Sequence, residues 1–438
     1  MDKVNVFPIG AGGVNTNASP LQVSKDELTK AQNAEYIIQG GEGALDQRPG
    51  MSRVNASAMG SGTAMVMAFD VPIKAQSEYT SYLYAGMASG ATNNWRRSTD
   101  GTTWANDNTP GKPFSTFTSV GYFKDWPKAV TVNYKLYFFD TSTPAVLYEY
   151  DGTTARAVCT LPANRVTATN AVGVMDMITD GTYIYVAVID AVATEPDLPG
   201  RVLAIHPLTG SVEQIGAGFG SGLTTNGAPS ALCIHNGLLF VGTYTGTTNG
   251  NQARIYKRPA QGVLSQTGNL GGWVTDSTLT ASQGDVCSMA SYKGRLYAGV
   301  TSQVAGTAGL VLQRTEESVW STSRTGPATT AQSGYMSLWT FNSELYAGWA
   351  DPGTTAGSID KYDGSSWTAD LAIGSTEVVC QAVVFPTSSG SLYVVLGKTS
   401  HAGNTASRIL KRTTGGTWST ADNESDHYRG PLAILRAA

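Results

Sequence analysis

Charge is scarce in this chain. Asp, Glu, Lys and Arg make up 14% of the 438 residues and the net charge is −4. There is no broad basic surface for nucleic acid and no basic run long enough to track phosphates. Cysteine is scarcer still: Cys159, Cys233, Cys287 and Cys380 stand far apart, with no Cys-x-x-Cys pair and no zinc spacing. Three of them, Cys233, Cys287 and Cys380, lie in apolar runs that read as strands. That predicts buried free thiols and fits folding in a reducing cytoplasm. Long apolar runs are absent too. The first residues, Met1 to Pro8, hold no apolar signal core, which predicts a soluble chain that is not conventionally exported. What is plentiful is glycine, 50 residues, with Ser, Thr and 9% aromatics, the composition of a turn-rich β protein.

One short pattern recurs: Leu-Tyr-small-Gly. Its clearest copies are Leu296-Tyr297-Ala298-Gly299, Leu345-Tyr346-Ala347-Gly348 and Leu83-Tyr84-Ala85-Gly86. Weaker copies begin at Leu136, Ile184, Leu239 and Leu392, so the aromatic returns at 84, 137, 185, 240, 297, 346 and 393. A period of roughly 50 residues is that of a propeller blade with its loops. Each unit divides into four strands. An apolar strand comes first and the Leu-Tyr strand second. The third ends in Lys or Arg, as in Ile255-Tyr256-Lys257, and the fourth often begins with Trp, as at Trp273, Trp320, Trp367 and Trp418. Asp100-Gly101, Asp151-Gly152 and Asp363-Gly364 are hairpin signals between third and fourth strands. Alternation places the basic residues Arg258, Arg314 and Arg412 outward, in solvent. The buried aromatics fill the wedge between blades. The expected fold is therefore all-β: a seven-bladed β-propeller over residues 61–438, preceded by a mostly irregular N-terminal arm at 1–60 that carries one short helix. The C-terminal stretch around Leu432–Leu435 is expected on or near the last blade, helping to close the ring.

The arm does not share the repeat. Gly10 to Asn17 is a glycine loop that lacks the ending of a phosphate cradle. Ser24-Lys25-Asp26-Glu27 has the arrangement of a capping box, predicting a helix of about three turns that Gly40-Gly41 ends. Gly43-Ala44-Leu45-Asp46-Gln47-Arg48-Pro49-Gly50 follows as a strand and turn. The order Gly12-Gly13-x-Asn15, Ala31-Gln32-Asn33-Ala34, Tyr36 and Gly43-Ala44-Leu45-x-x-Arg48-Pro49-Gly50 resembles the N-terminal segment of tail and neck structural proteins of tailed bacteriophages. The likeness covers about a tenth of the chain. It implies a virion protein of tail, nozzle or neck, made in the host cytoplasm. Such a protein would dock through Asn15, Tyr36, Leu45, Arg48 and Pro49 onto other virion proteins and onto copies of itself in a ring-like homo-oligomer.

Candidate chemistry is sparse by comparison. Ser98-Thr99-Asp100-Gly101-Thr102-Thr103-Trp104 is similar to the Asp-box of sialidase-type propellers but is one residue short, and Asp-boxes are structural turns. Glu316-Glu317 sits in a turn, and no pair of carboxylates is brought together by the period. His206, His235, His401 and His427 lie in different units. His235, ending an apolar strand, is the best candidate to face a central channel. Asp176 and Asp180 are the carboxylates nearest to a calcium set, without any supporting loop. The sequence thus leads to a non-enzymatic structural protein with no metal and no cofactor. The alternatives are a propeller that binds or cleaves a host surface glycan, with Tyr244 and Trp349 for sugar stacking, and a general interaction scaffold.

Overall fold

The computed structural model describes residues 34–39, 42–47, 67–71, 80–89, 92–101, 103, 105–106, 129–132, 135–140, 145–151, 154–161, 171–191, 200–215, 228–244, 252–260, 272–329, 333–351, 355–375, 377–385, 390–398, 408–423 and 434–435. Strands β1 (Ala34–Gln39) and β2 (Glu42–Gln47) pair with each other in a two-stranded antiparallel sheet. This corrects the expected helix over its last part. Tyr36-Ile37-Ile38 is an aromatic and β-branched run that suits a pleated surface, and a Gly-Gly step is as good a hairpin signal as a helix stop. The stretch from Ser24 to Asn33 lies outside the described residues.

The strands that follow assort, among the described residues, into seven consecutive antiparallel sets of four. Set one holds β3 (Met67–Val71), β4 (Thr80–Ser89), β5 (Thr92–Ser98) and β6 (Ala105–Asn106). Set two holds β7 (Ala129–Val132), β8 (Lys135–Asp140), β9 (Val146–Tyr150) and β10 (Ala155–Thr160). Set three holds β11 (Ala171–Thr179), β12 (Ile184–Ala191), β13 (Arg201–Ile205) and β14 (Val212–Gln214). Set four holds β15 (Ala228–His235), β16 (Leu238–Tyr244), β17 (Arg254–Pro259) and β18 (Val274–Thr278). Set five holds β19 (Gln283–Tyr292), β20 (Arg295–Ser302), β21 (Ala308–Glu316) and β22 (Val319–Ala328). Set six holds β23 (Gly334–Phe341), β24 (Glu344–Ala350), β25 (Ala356–Tyr362) and β26 (Trp367–Ser375). Set seven holds β27 (Glu377–Phe385), β28 (Ser391–Lys398), β29 (Arg408–Arg412) and β30 (Trp418–Asn423). A single backbone pairing, Thr301 with Gly334, joins sets five and six into one sheet. The fold is an all-β propeller.

Consecutive sets are glued by apolar clusters that cross from one to the next, set two to three, three to four, four to five, five to six and six to seven. The Leu-Tyr-x-Gly strand is the second of its set and is the centre of each cluster. Tyr137, Tyr185, Tyr297, Tyr346 and Tyr393 are all buried, as is Phe240 in the same place. The glycine two residues on lets the next set approach. A Cβ on Gly299 would run into the Tyr335 carbonyl, and one on Gly348 would meet Val379 at 2.8 Å. The first strands are stitched to one another at a recurring β-bulge. Ser230 Oγ donates to the Val286 carbonyl at 2.7 Å and Ser337 Oγ to the Val379 carbonyl at 2.9 Å.

Turn chemistry differs from expectation. In the Asp100-Gly101 and Asp363-Gly364 turns the glycine takes positive φ, at 72° and 107°, and the aspartate does not. The aspartates instead cap the turn. Asp363 Oδ1 accepts the Ser365 and Ser366 amides at 2.6 and 2.8 Å, and Asp100 Oδ1 accepts Thr103 N at 2.6 Å. The paired positive-φ turns lie between first and second strands, at Asn236-Gly237, Lys293-Gly294 and Asn342-Ser343. The placement of the C-terminal stretch is corrected as well. Strand β31 (Ile434–Leu435) runs parallel to β3 of set one, rather than joining the last set, with Ala68 opposite Ile434. Set seven meets set one directly: Tyr393 lies against Gly101, and burial, then the nearby Asp100 carboxylate, push its phenol pKa up.

Candidate functional site

Strand pairing brings together two of the five residues expected to dock a partner: Tyr36 of β1 is directly opposite Leu45 of β2. Asn15, Arg48 and Pro49 lie outside the described residues, as do His401, His427 and most of the loops at 191–201 and 262–272.

On the propeller, polar chemistry gathers at the junctions between sets. Three residues past the tryptophan that opens or precedes the fourth strand stands Asp276 in set four and Asp370 in set six. The Asp276 side chain is 0% exposed. It receives Arg314 from the next set through Nε at 2.8 Å and Nη2 at 3.0 Å, Trp320 Nε1 at 2.8 Å and Ser318 Oγ at 2.9 Å. Lys257 of its own set adds an ion pair at 2.9 Å. Asp370 repeats the arrangement with Arg412 Nε at 2.7 Å, Nη2 at 3.1 Å and Trp418 Nε1 at 2.7 Å. Lys361 stands between Asp370 and Glu344, 3.5 Å from each. Burial alone would raise the Asp276 carboxyl pKa, but the donors from Arg314, Lys257, Trp320 and Ser318 outweigh it and hold it far below the carboxylate range.

The tryptophans carry the device through further junctions. Trp367 donates to Ser323 Oγ at 2.9 Å, the residue three past Trp320, and Trp273 donates to the Ile215 carbonyl at 3.2 Å. Here the sequence reading is corrected: Arg258 and Arg412 are each 3% exposed, not solvated, and Arg314 is bound to Asp276. Alternation gives the face of a strand correctly. Where sheets pack face to face, however, the outward face of one set is the inward face of its neighbour. The pattern Trp-x-x-Asp at 273–276 and 367–370 was the signal that could have found this latch.

Other candidates are absorbed by structure. His235 is buried against Phe240, with Nδ1 2.8 Å from Ser291 Oγ of set five and Nε2 3.2 Å from Asn236 Nδ2. It therefore bridges two sets rather than facing a channel. Burial, and then the Arg314 charge, lower its pKa. With Asn236 donating to Nε2, the proton sits on Nδ1 and points at Ser291, opposite to the tautomer that would activate a serine. Asp176 accepts the Met177 and Leu232 amides, and Asp180 accepts two turn amides and the Tyr185 hydroxyl. Among the described residues no group of His, Cys, Asp and Glu is placed to hold a metal. Glu317 pairs with Lys257 at 2.8 Å. Trp349 is 1% exposed, so it is no sugar platform, and Tyr244 is half-buried. Cys233 and Cys287 are buried free thiols and Cys159 is half-buried. Burial pushes Cys159 to about 11, and burial with the Asp176 charge pushes Cys233 to about 12.

No family model matches the chain, and no curated protein matches it. Solved structures do. A Mycobacterium tuberculosis puromycin-hydrolyzing peptidase aligns over 86% of this chain at 11% identity and a TM-score of 0.53. A puromycin hydrolase aligns over 85% at 10% identity and 0.52. A Lactobacillus plantarum protein aligns over 84% at 14% identity and 0.50, and 98% of that protein is covered. The chain spans only 57% and 55% of the two hydrolases. At such identities the likeness shows the fold. It also overturns one expectation: chains built on this propeller include enzymes, so the non-enzymatic reading drawn from the sequence does not stand.

Proposed function

We propose that this chain is a structural component of the tail, nozzle or neck of a tailed-phage virion, and that its seven sets are the blades of one closed ring. The arm at 1–60 would dock on other virion proteins and on copies of the chain. The observation that carries this reading is the β1–β2 hairpin, a two-stranded sheet that, among the described residues, pairs with no strand of the seven sets. A lone two-stranded hairpin is marginal in water and gains order from a surface to pack on. Its Tyr36–Leu45 pair is the part of the phage-like arm pattern that strand register places side by side. Removing residues 1–50 is expected to leave a propeller that melts as the full chain does but is absent from assembled particles. Incorporation of the truncated chain at the full-length level would remove the docking role.

A further inference from the structure

Arg258 occupies in set four the place that Arg314 holds in set five and Arg412 in set seven, the residue closing Ile-Tyr-Lys-Arg, Val-Leu-Gln-Arg and Ile-Leu-Lys-Arg. Its two counterparts each have a carboxylate of the preceding set in a two-point ion pair. Among the described residues Arg258 has none: the residue standing three past the start of β14 is Ile215, which is 1% exposed and offers only its carbonyl, taken by Trp273. Arg258 is itself 3% exposed. Its guanidinium carbon lies 5.3 Å from the centre of the Trp273 ring, and Nε and Nη1 are buried without a hydrogen-bond acceptor. Glu213, on the exposed start of β14, is felt as a charge but leaves both nitrogens without an acceptor. A buried guanidinium with unsatisfied donors is costly unless an anion completes it.

We infer that the junction of sets three and four at Arg258 is a binding site for a carboxylate supplied from outside the blade, taking the place that Asp276 fills from within at the junction of sets four and five and Asp370 at that of sets six and seven. The flat guanidinium suits a planar two-oxygen acceptor, and the indole face beneath it fixes the fork in one plane. The carboxylate has two sources, a free small organic acid or an acidic side chain of a second copy of this chain.

Acetate titration at constant ionic strength against chloride, read by thermal unfolding, tests the site. The full-length protein is expected to show a saturable rise in Tm with acetate. Arg258→Met is expected to lose that response while melting no lower in chloride, since it removes an unpaired buried charge. Ile215→Asp, which restores the internal acid, is expected to lose the response and melt higher in chloride. Glu213→Gln is expected to keep the response. Sedimentation of the same variants separates the two sources. Association that Arg258→Met abolishes and acetate competes away assigns the site to a second copy, whereas a monomer that responds to acetate assigns it to a free acid. An acetate response equal in the parent and Arg258→Met, with equal sedimentation, would overturn the proposal.

Discussion

The junction between sets four and five and the junction between sets three and four have the same backbone, the same third-strand arginine and the same tryptophan. They differ in one acceptor. At the first, Asp276 gathers Arg314, Lys257, Trp320 and Ser318 around one buried carboxylate. At the second, Ile215 gives Trp273 a carbonyl and gives Arg258 nothing. The difference teaches that the repeat constrains two layers unequally. The aromatic of the second strand recurs in every set, whereas the glycine that admits the neighbour at Gly242, Gly299 and Gly348 gives way to Phe139, Ala187 and Val395 in sets two, three and seven. The rim layer can lose a member at one junction while the fold persists, so it is free to specialise.

Removing the acid is the hardest test of that contrast. Asp276→Ala leaves Arg314 charged without its buried carboxylate and leaves Lys257 only the exposed Glu317, and is expected to cost about 3–5 kcal/mol in urea unfolding. A loss no greater than that of an exposed aspartate would refute the latch. The glycine layer comes next. Gly299→Ala drives a methyl into the Tyr335 carbonyl, which is backbone and cannot swing away, whereas Gly348→Ala meets the Val379 and Ser337 side chains. The expected losses are about 2–3 kcal/mol for Gly299→Ala and less for Gly348→Ala, measured the same way.

Smaller, but aimed directly at the two junctions, is the indole bond. Trp320→Phe gives up a donor to a charged carboxylate and Trp273→Phe a donor to a neutral carbonyl, so the first is expected to lose about 1 kcal/mol more. Equal losses would mean that the indole ring, not its N–H, is what matters. The last test is acid. The folded-state pKa of Asp276 is depressed, so its stabilisation is fully present above the unfolded carboxylate value of about 4 and is lost as pH falls below it. Asp276→Asn should therefore flatten the acid limb of a Tm-against-pH curve relative to the parent chain. An unchanged limb would place the acid sensitivity elsewhere, with Glu149 as the next candidate because its carboxyl is also lowered.

Much of the blade was legible in the residues. The second strand of every set announces itself through Leu-Tyr or its equivalents, since a buried aromatic beside a small residue leaves few other placements. Three features were not legible, each for its own reason. The helix expected before Gly40 gave way to a strand at Tyr36–Ile38, where a capping signal and β-branched propensity compete and pairing with β2 decides. The Asp-Gly turns are built by side-chain capping rather than by two left-handed residues, a choice that the dipeptide does not specify. The arginine latches join residues such as Arg314 and Asp276 across a blade boundary, and strand periodicity describes only the faces of one sheet at a time.

The parallel pairing of β31 with β3 has a consequence for how the molecule is made. The strand that rests against Ala68 and Phe69 follows the seventh set in the sequence, so the strands of every set are made before this pairing can form. Ala68 and Ile434 are far apart in the sequence, so the pairing is a long-range contact of the kind that slows folding.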